Sequence, residues 1–228
     1  MQEFEKILKK FDLSIKNKNY YQTAFTHRSY LNETKIITES NERMEFLGDS
    51  VLSFVISSFL FKLRPDDAEG DLTNLRAFIV KTDSLAKVAK SLDLGKYLRL
   101  SKGEEVSSGR ENEQILANTY EAVLGAIFLD LGIDGATKFV HSTLIPMFAG
   151  EIEKGPPRDP KSQLQEVVQS KFQSSPKYKI LLTTGPDHAK QFSVGVFLNG
   201  KQIGEGQGSS KQLAEEQSAK EALLKLSI

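Results

Sequence analysis

Glu42, Glu45 and Asp49 are spaced by three and by four residues, so on a helix turning about 100° per residue their carboxylates fall in one narrow stripe. Such a triple is ordinarily a solvated acidic face, because charged side chains are normally exposed. Its neighbours argue otherwise. Met44, Leu47, Val51, Phe54 and Val55 form an apolar stripe on the opposite side, and Phe46 and Leu52 flank the acids, so the helix reads as enclosed nearly all round. Acids crowded into a partly dry setting repel one another and call for a cation.

A second stretch, Ile115-Leu-Ala-Asn-Thr-Tyr-Glu-Ala-Val-Leu-Gly-Ala-Ile-Phe-Leu129, is apolar around almost its whole circumference, which predicts a buried helix. Within it Asn118 and Glu121 stand three apart. An ionised Glu in such a helix is costly unless it is paired, for instance with Arg43 or Arg76, or bound to a metal. The two helices offer hard oxygen donors of the kind that suits Mg²⁺ or Mn²⁺, with no cysteine or clustered histidine to suit zinc. Metal-assisted hydrolysis of a phosphodiester is the reaction that such a set supports best.

The elements that must carry these residues follow from periodicity. Apolar residues recur at helical spacing in Leu52, Val55, Phe59, in Leu85, Val88, Leu92 and in Leu124, Ile127, Leu131, so residues 1–150 are expected to form an all-α domain. Gly150-Glu-Ile-Glu-Lys-Gly-Pro-Pro-Arg-Asp-Pro160 concentrates glycine, proline and charge, and 151–159 reads as a linker. Residues 160–228 change period: a helix over Ser162–Phe172, strands over Lys177–Thr184 and Gln191–Leu198, an Asn199-Gly200 hairpin turn, a third strand over about Lys201–Gly206, and a helix from about Lys211. The order is α-β-β-β-α.

Composition sets outer bounds. The 228 residues suffice for two domains, with a hydrophobic fraction of 39% and a charged fraction of 26% ordinary for a soluble protein. No apolar run approaches the length needed to span a bilayer, and acids near the first residues argue against export, so a cytoplasmic protein with no membrane partner is expected. The absence of cysteine excludes a disulfide framework. Formal net charge is zero, with an excess of two acids over 1–150 and of two bases over 151–228, so only the placement of charge can point to a partner.

Asn41-Glu-Arg-Met-Glu-Phe-Leu-Gly-Asp-Ser-Val-Leu52 resembles the signature motif of the ribonuclease III family. Ala24-Phe-Thr-His-Arg-Ser-Tyr30, Glu69-Gly-Asp-Leu-Thr-Asn-Leu-Arg76, Leu94-Gly-Lys-Tyr-Leu-Arg-Leu100, Ser108-Gly-Arg110 and Ile115 to Asp130 agree with it. The resemblance implies that Glu45, Asp49 and Glu121 are metal-binding carboxylates, with Glu42 a further catalytic acid and Glu69 a secondary acid around the catalytic valley. It implies that Phe46 packs into the partner subunit of a homodimer with two cutting centres. It also implies Mg²⁺-dependent hydrolysis of double-stranded RNA, leaving 5′-phosphate and 3′-hydroxyl ends and short 3′ overhangs, in the processing of ribosomal and messenger RNA precursors, with no organic cofactor. The departure is Asn118, where the family usually has Asp; its carbonyl can still ligate a hard cation but brings no charge. Thr26, His27 and Arg28 invite assignment as a base or phosphate clamp, yet a reaction driven by a divalent ion needs no imidazole, and His27 is taken as structural.

Gly185-Pro-Asp-His-Ala-Lys-Gln-Phe192 and Gly206-Gln-Gly-Ser-Ser-Lys-Gln-Leu-Ala-Glu215 resemble the most recognisable segments of the double-stranded-RNA-binding domain. Ser210 and Lys211 at a helix N-terminus suit phosphates, while Gln163 and Glu166 on the first helix, with His188 and Lys190 in the loop, would meet successive minor grooves over about 16 base pairs. Blander readings are a flexible turn for Gly204–Gly208 and a solvated lysine for Lys211. Many family members have a second lysine where this chain has Gln212. The rival to an endonuclease is a double-stranded-RNA-binding homodimer that cuts weakly or not at all because of Asn118. A helical metal enzyme acting on small phosphorylated molecules is disfavoured by the C-terminal domain.

Overall fold

The acidic residues ride on the two longest helices of the chain, α3 (Glu42–Leu63) and α7 (Glu113–Thr143). The computed structural model describes residues 2–155, 160–186 and 190–226, and the chain divides into two compact units, Met1–Pro156 and Pro157–Ile228. Around α3 and α7 the first unit assembles α1 (Gln2–Lys9), α2 (Lys18–Ala24), α4 (Glu69–Val80), α5 (Thr82–Ser91), α6 (Lys102–Val106) and α8 (Ala149–Lys154), with 3-10 turns at Arg28–Glu33, Leu94–Tyr97 and Ile145–Phe148.

The first half of α7 is buried as its composition demands: Ile115, Leu116, Ala117, Thr119, Tyr120 and every residue from Ala122 to Ile127 are inside. Its polar groups are satisfied locally. Thr119 Oγ1 donates to Ile115 O, and Tyr120 OH meets Thr143 Oγ1, which itself donates to Phe139 O. Further along, Asp130 accepts from the Lys16 and Asn17 amides and from Tyr21 OH, tying α7 to α2. Gly132, with φ 74°, then breaks the helix, a conformation that a residue without Cβ adopts freely.

Three expectations for this unit need correction. α3 is not enclosed nearly all round: Phe46, Phe54 and Phe61 are 77%, 61% and 72% exposed along one face. Periodicity shows which positions are apolar but not whether the same chain covers them. α3 is also, by length and mean hydropathy, sufficient to cross a bilayer, contrary to the reading of the sequence; its apolar content is that of a core helix, with Val51, Leu52, Val55, Ile56 and Leu60 packed inside and acids in its first two turns. Finally, the linker starts later than 151. α8 runs through Ala149–Lys154, Ile152 is buried, and Arg64 Nη1 donates to Ile152 O at 2.8 Å.

The second unit is α9 (Pro160–Phe172), β1 (Lys177–Thr184), β2 (Gln191–Leu198), β3 (Lys201–Gly208) and α10 (Lys211–Leu226), an antiparallel sheet of order β1-β2-β3 with both helices packed together. Proline is well suited to the first turn of α9, where its missing N–H costs no bond. Leu198 pairs with Lys201 across Asn199 and Gly200, which both hold positive φ as a two-residue hairpin requires. β3 extends to Gly208 instead of ending near Gly206, and Gly204–Gly208 is strand, not flexible turn. The alternating Gly204, Gly206 and Gly208 all lie under α10: a Cβ on Gly206 would stand 2.2 Å from the Ser218 nitrogen and one on Gly204 2.4 Å from its oxygen.

Candidate active site

The segments that carry the sequence motifs meet around one cleft in the first unit. His27 N–H donates to Arg99 O, Arg99 N–H to Phe25 O and Asn41 N–H to Thr26 O, at 3.1, 2.8 and 2.8 Å. Arg110 Nη1 donates to both Gly95 O and Leu98 O. The motifs around residues 24–30, 94–100 and 108–110 therefore buttress the start of α3, while the α3–α7 crossing brings in the other wall.

That crossing is backbone against backbone. A Cβ on Gly48 would lie 1.8 Å from Glu121 O, and one on Gly125 would lie 2.3 Å from Met44 O. Glu45 and Asp49, flanking Gly48, are thereby set beside Asn118 and Glu121 in a cleft of about 990 Å³ that Glu42, Glu104 and Arg28 also line. Glu45 and Glu121 are half-buried and Asp49 is exposed.

Burial raises the Glu121 carboxyl to about 8, and the Asp49 and Glu45 charges push the same way. Glu45 is raised too, by burial and then by Glu42, with a hydrogen bond from Asn118 and the charge of Asp49 acting in opposite senses. Neither suggested arginine neutralises Glu121; Arg76 donates instead to Ser57 Oγ. Among the described residues no ion pair involves Glu45, Asp49 or Glu121, and a cation between them and a polyanion would ease its approach. Among the described residues no three histidine, cysteine or acidic side chains stand ready-made around a single point. The donor set of Glu45, Asp49 and Glu121 nevertheless fits a hard divalent ion, which would offset both the burial and the like charges that raise the Glu121 pKa.

Glu42 sits at the rim, accepting from Ser40 Oγ at 2.8 Å and pairing loosely with Arg28 at 3.8 Å. His27 lines the cleft but caps the Arg28–Glu33 turn. Its Nδ1 contacts Ser29 Oγ at 2.8 Å and accepts from the Ser29 amide, and burial lowers its pKa, so the neutral ring acts as an acceptor in the scaffold. Glu69 is not in this cleft; it opens α4, accepts from Thr73 Oγ1, and borders a separate hollow with Phe54, Phe61 and Arg76. Phe46 stands at the cleft edge with its ring largely exposed.

In the second unit Ser210 caps α10, accepting from the Leu213 amide at 3.2 Å, and Lys211 is exposed in the first turn. Glu166 shares a shallow groove of α9 with Ser162, Gln165 and Gln169, whereas Gln163 is half-buried outside it. Lys190 is exposed before β2, and His188 lies outside the described residues. Sequence reasoning missed Gln114, which donates to Asn118 at 2.7 Å, and Glu104, which lines the cleft. Gln114 stands one helical turn before Asn118, a spacing at which side-chain amides meet.

Comparison with known proteins agrees with this geometry. Residues 17–148 match the model described as Ribonuclease-III-like, and residues 160–226 match the double-stranded RNA binding motif. A relative named Ribonuclease 3 from Streptococcus pneumoniae (strain P1031) is 44% identical over 228 residues, 99% of this chain and 97% of the relative. Its namesake from Streptococcus pyogenes serotype M28 (strain MGAS6180) is 43% identical, covering 100% of this chain and 99% of its own length. The nuclease domain of Ribonuclease III from Campylobacter jejuni superposes with a TM-score of 0.59 at 39% identity, over 64% of this chain and 98% of that one. The chain belongs to the ribonuclease III family. It is an endoribonuclease with a helical nuclease domain and a double-stranded-RNA-binding domain.

Proposed function

We propose that the cleft between α3 and α7 hydrolyses phosphodiesters of double-stranded RNA with the help of Mg²⁺, Mn²⁺ being able to substitute. The observation that carries this reading is the coupling of Glu45, Asp49 and Glu121 across two helices, with Glu121 held near pH 8 by burial and like charge. These three side chains would hold the ion, which when bound supplies Lewis acidity toward a phosphate oxygen and lowers the pKa of water. Glu121 would have to be deprotonated to hold the ion, Glu42 extends the negative field at the rim, and Arg28 lines the cleft where a phosphate could meet it. In-line attack by water would form a new P–O bond as the bond from phosphorus to the 3′ oxygen breaks, the proton lost by water balancing the one gained by the departing oxygen, to leave 5′-phosphate and 3′-hydroxyl ends.

Lys211 and the free amides at the start of α10 would meet phosphates, and the exposed edge of α9 with Glu166 would meet a minor groove, so that recognition follows duplex shape. The exposed face of Phe46, Phe54 and Phe61 supports a homodimer: a buried phenylalanine contributes about 1.5–3 kcal/mol relative to an exposed one. The Campylobacter jejuni nuclease domain is described as having a region involved in dimer formation. We assign the protein to the cytoplasm and to processing of ribosomal and messenger RNA precursors.

A second reading, a homodimer that binds duplex RNA and cuts weakly, is favoured by one observation: Asn118 contributes an amide where a fourth charge could stand. Long duplex RNA incubated with the protein in Mg²⁺ and then in Ca²⁺ separates the two. Fragments bearing 5′-phosphates in Mg²⁺ alone support the enzyme; RNA bound and intact in both overturns it.

A further inference from the structure

Two side-chain pairs on α10 join residues four apart: Gln212 Nε2 donates to Glu216 Oε1 at 3.1 Å, and Lys225 Nζ pairs with Glu221 Oε1 at 3.0 Å. Lys211 and Glu215 have the same spacing on the same helix, yet among the described residues no ion pair joins them. Glu215 is held from another helix. Lys161, in the first turn of α9, places Nζ 2.5 Å from Glu215 Oε2 and 5.1 Å from the centre of the Tyr178 ring. The two charged side chains are 34% and 27% exposed, so salt screens their attraction less than it would that of an open surface pair. Lys211, one turn before Glu215, is exposed and makes no ion pair among the described residues.

We propose that Lys161 is a positioning residue for duplex RNA: it holds the Glu215 carboxylate away from Lys211 and so leaves the Lys211 ammonium to a phosphate. This rests on the reading of Lys211 as a phosphate contact. Lys161 is steadied in that task by the face of the Tyr178 ring, whose negative quadrupole attracts an ammonium. Without Lys161, Glu215 is an uncompensated negative charge one turn from the start of α10. There it pairs with Lys211 at the spacing that α10 already uses twice, and it repels the incoming phosphate as well. The seating of the helices does not depend on the pair. Gly206 and Gly208 bring β3 against the backbone of α10, and Leu164 and Val168 of α9 share one apolar cluster with Ala219 and Ala222. The salt bridge is therefore spare as a fastener, and its effect falls on the charge that the start of α10 shows to RNA.

Filter binding of a short duplex RNA to the full chain in Ca²⁺, across a salt series, tests this. Lys161→Met keeps an unbranched stem and removes the charge; it should weaken binding about three- to fivefold and lower the dependence of log affinity on log salt by about one. Lys161→Arg keeps the charge and should bind as the unmodified chain does, and so should Glu215→Gln. The deciding protein carries Lys161→Met together with Glu215→Gln. With no acid left to seek Lys211, its affinity and salt dependence should both return to those of the unmodified chain. If it stays as weak as Lys161→Met, Lys161 touches phosphate itself and the proposal is overturned. If Glu215→Gln alone weakens binding as much as Lys161→Met, the pair merely fastens α9 to α10, which overturns it too. Undiminished binding by Lys161→Met, or loss of the second unit's thermal transition in that protein, has the same consequence. A different failure marks the reading beneath: if Lys211→Ala binds duplex RNA as tightly as the unmodified chain, the phosphate contact itself is wrong and the inference falls with it.

Discussion

Gly48 and Gly125 face each other where α3 crosses α7, so close that a Cβ on either would run into the carbonyl of the other helix. Because each helix presents its acids beside its glycine, the separation of the carboxylates is set by the absence of two side chains. Gly48→Ala should therefore spread the helices, destabilise the nuclease domain by at least the roughly 1–3 kcal/mol typical of overpacking, and reduce cutting by more than it reduces RNA binding. Urea melts and a gel shift on the same preparation check both. Unchanged cutting would show that the crossing does not set the site.

Removing the central carboxylate should separate chemistry from recognition. Glu121→Ala is expected to lower cleavage at least a hundredfold while leaving duplex affinity within about twofold, because the RNA-binding residues lie in the other unit. Loss of both together would count against its assigned role.

The raised Glu121 pKa has a consequence for stability, with its sign fixed by linkage. The folded, metal-free protein holds a proton on Glu121 up to about pH 8, while the unfolded chain loses it near 4.5. Folding is thus favoured by this group at low pH, and that contribution is progressively lost as pH rises between these values. In chelator-treated protein, Glu121→Gln should flatten the decline of the thermal midpoint between pH 5 and about 8. A slope identical to the unmodified chain would mean that Glu121 titrates normally.

The exposed phenylalanines predict self-association. Phe54→Ser combined with Phe61→Ser should shift the sedimenting species from dimer to monomer, with little loss of fold because both rings are largely in solvent in the single chain. A species unchanged in mass would remove this face from the interface.

In the second unit, Lys211→Ala should weaken duplex RNA binding about equally for unrelated sequences and reduce the dependence of log affinity on log salt by about one, as expected for loss of a single phosphate contact. Filter binding across a salt series measures both. A loss confined to particular sequences would contradict shape recognition.

How much of this was legible beforehand depends on what each signal encodes. The spacing of Glu42, Glu45 and Asp49, the all-round apolar character of Ile115–Leu129 and the Asn199-Gly200 turn are local, and each led to the element observed. The glycine crossing was not legible, because Gly48 and Gly125 are distant in sequence and acquire meaning only when the helices meet. Gly204, Gly206 and Gly208 alternate with the period of a strand, yet glycine is depleted in strands, so the third strand is expected to stop near Gly206, whereas it runs on to Gly208 beneath α10. Ile152 was hidden by the surrounding Gly, Pro and charge. The flanks of α3 at Phe46 and Phe54 read as enclosed because periodicity shows which positions are apolar but not what covers them. Gln114 is not singled out by the sequence, because only the folded cleft shows it lining the same surface as Asn118 and bonded to it.

The central claim is that carboxylates from two separate helices share one divalent ion, and proton release on binding tests it most directly. Calorimetric titration of Mg²⁺ at pH 7, repeated in two buffers of different ionisation enthalpy, should show close to one proton released per ion by the unmodified chain and close to none by Glu121→Gln, with weaker binding. Equal affinity and no proton release in both proteins would contradict it, because Glu121 and the helix that carries it would then take no part in holding the ion.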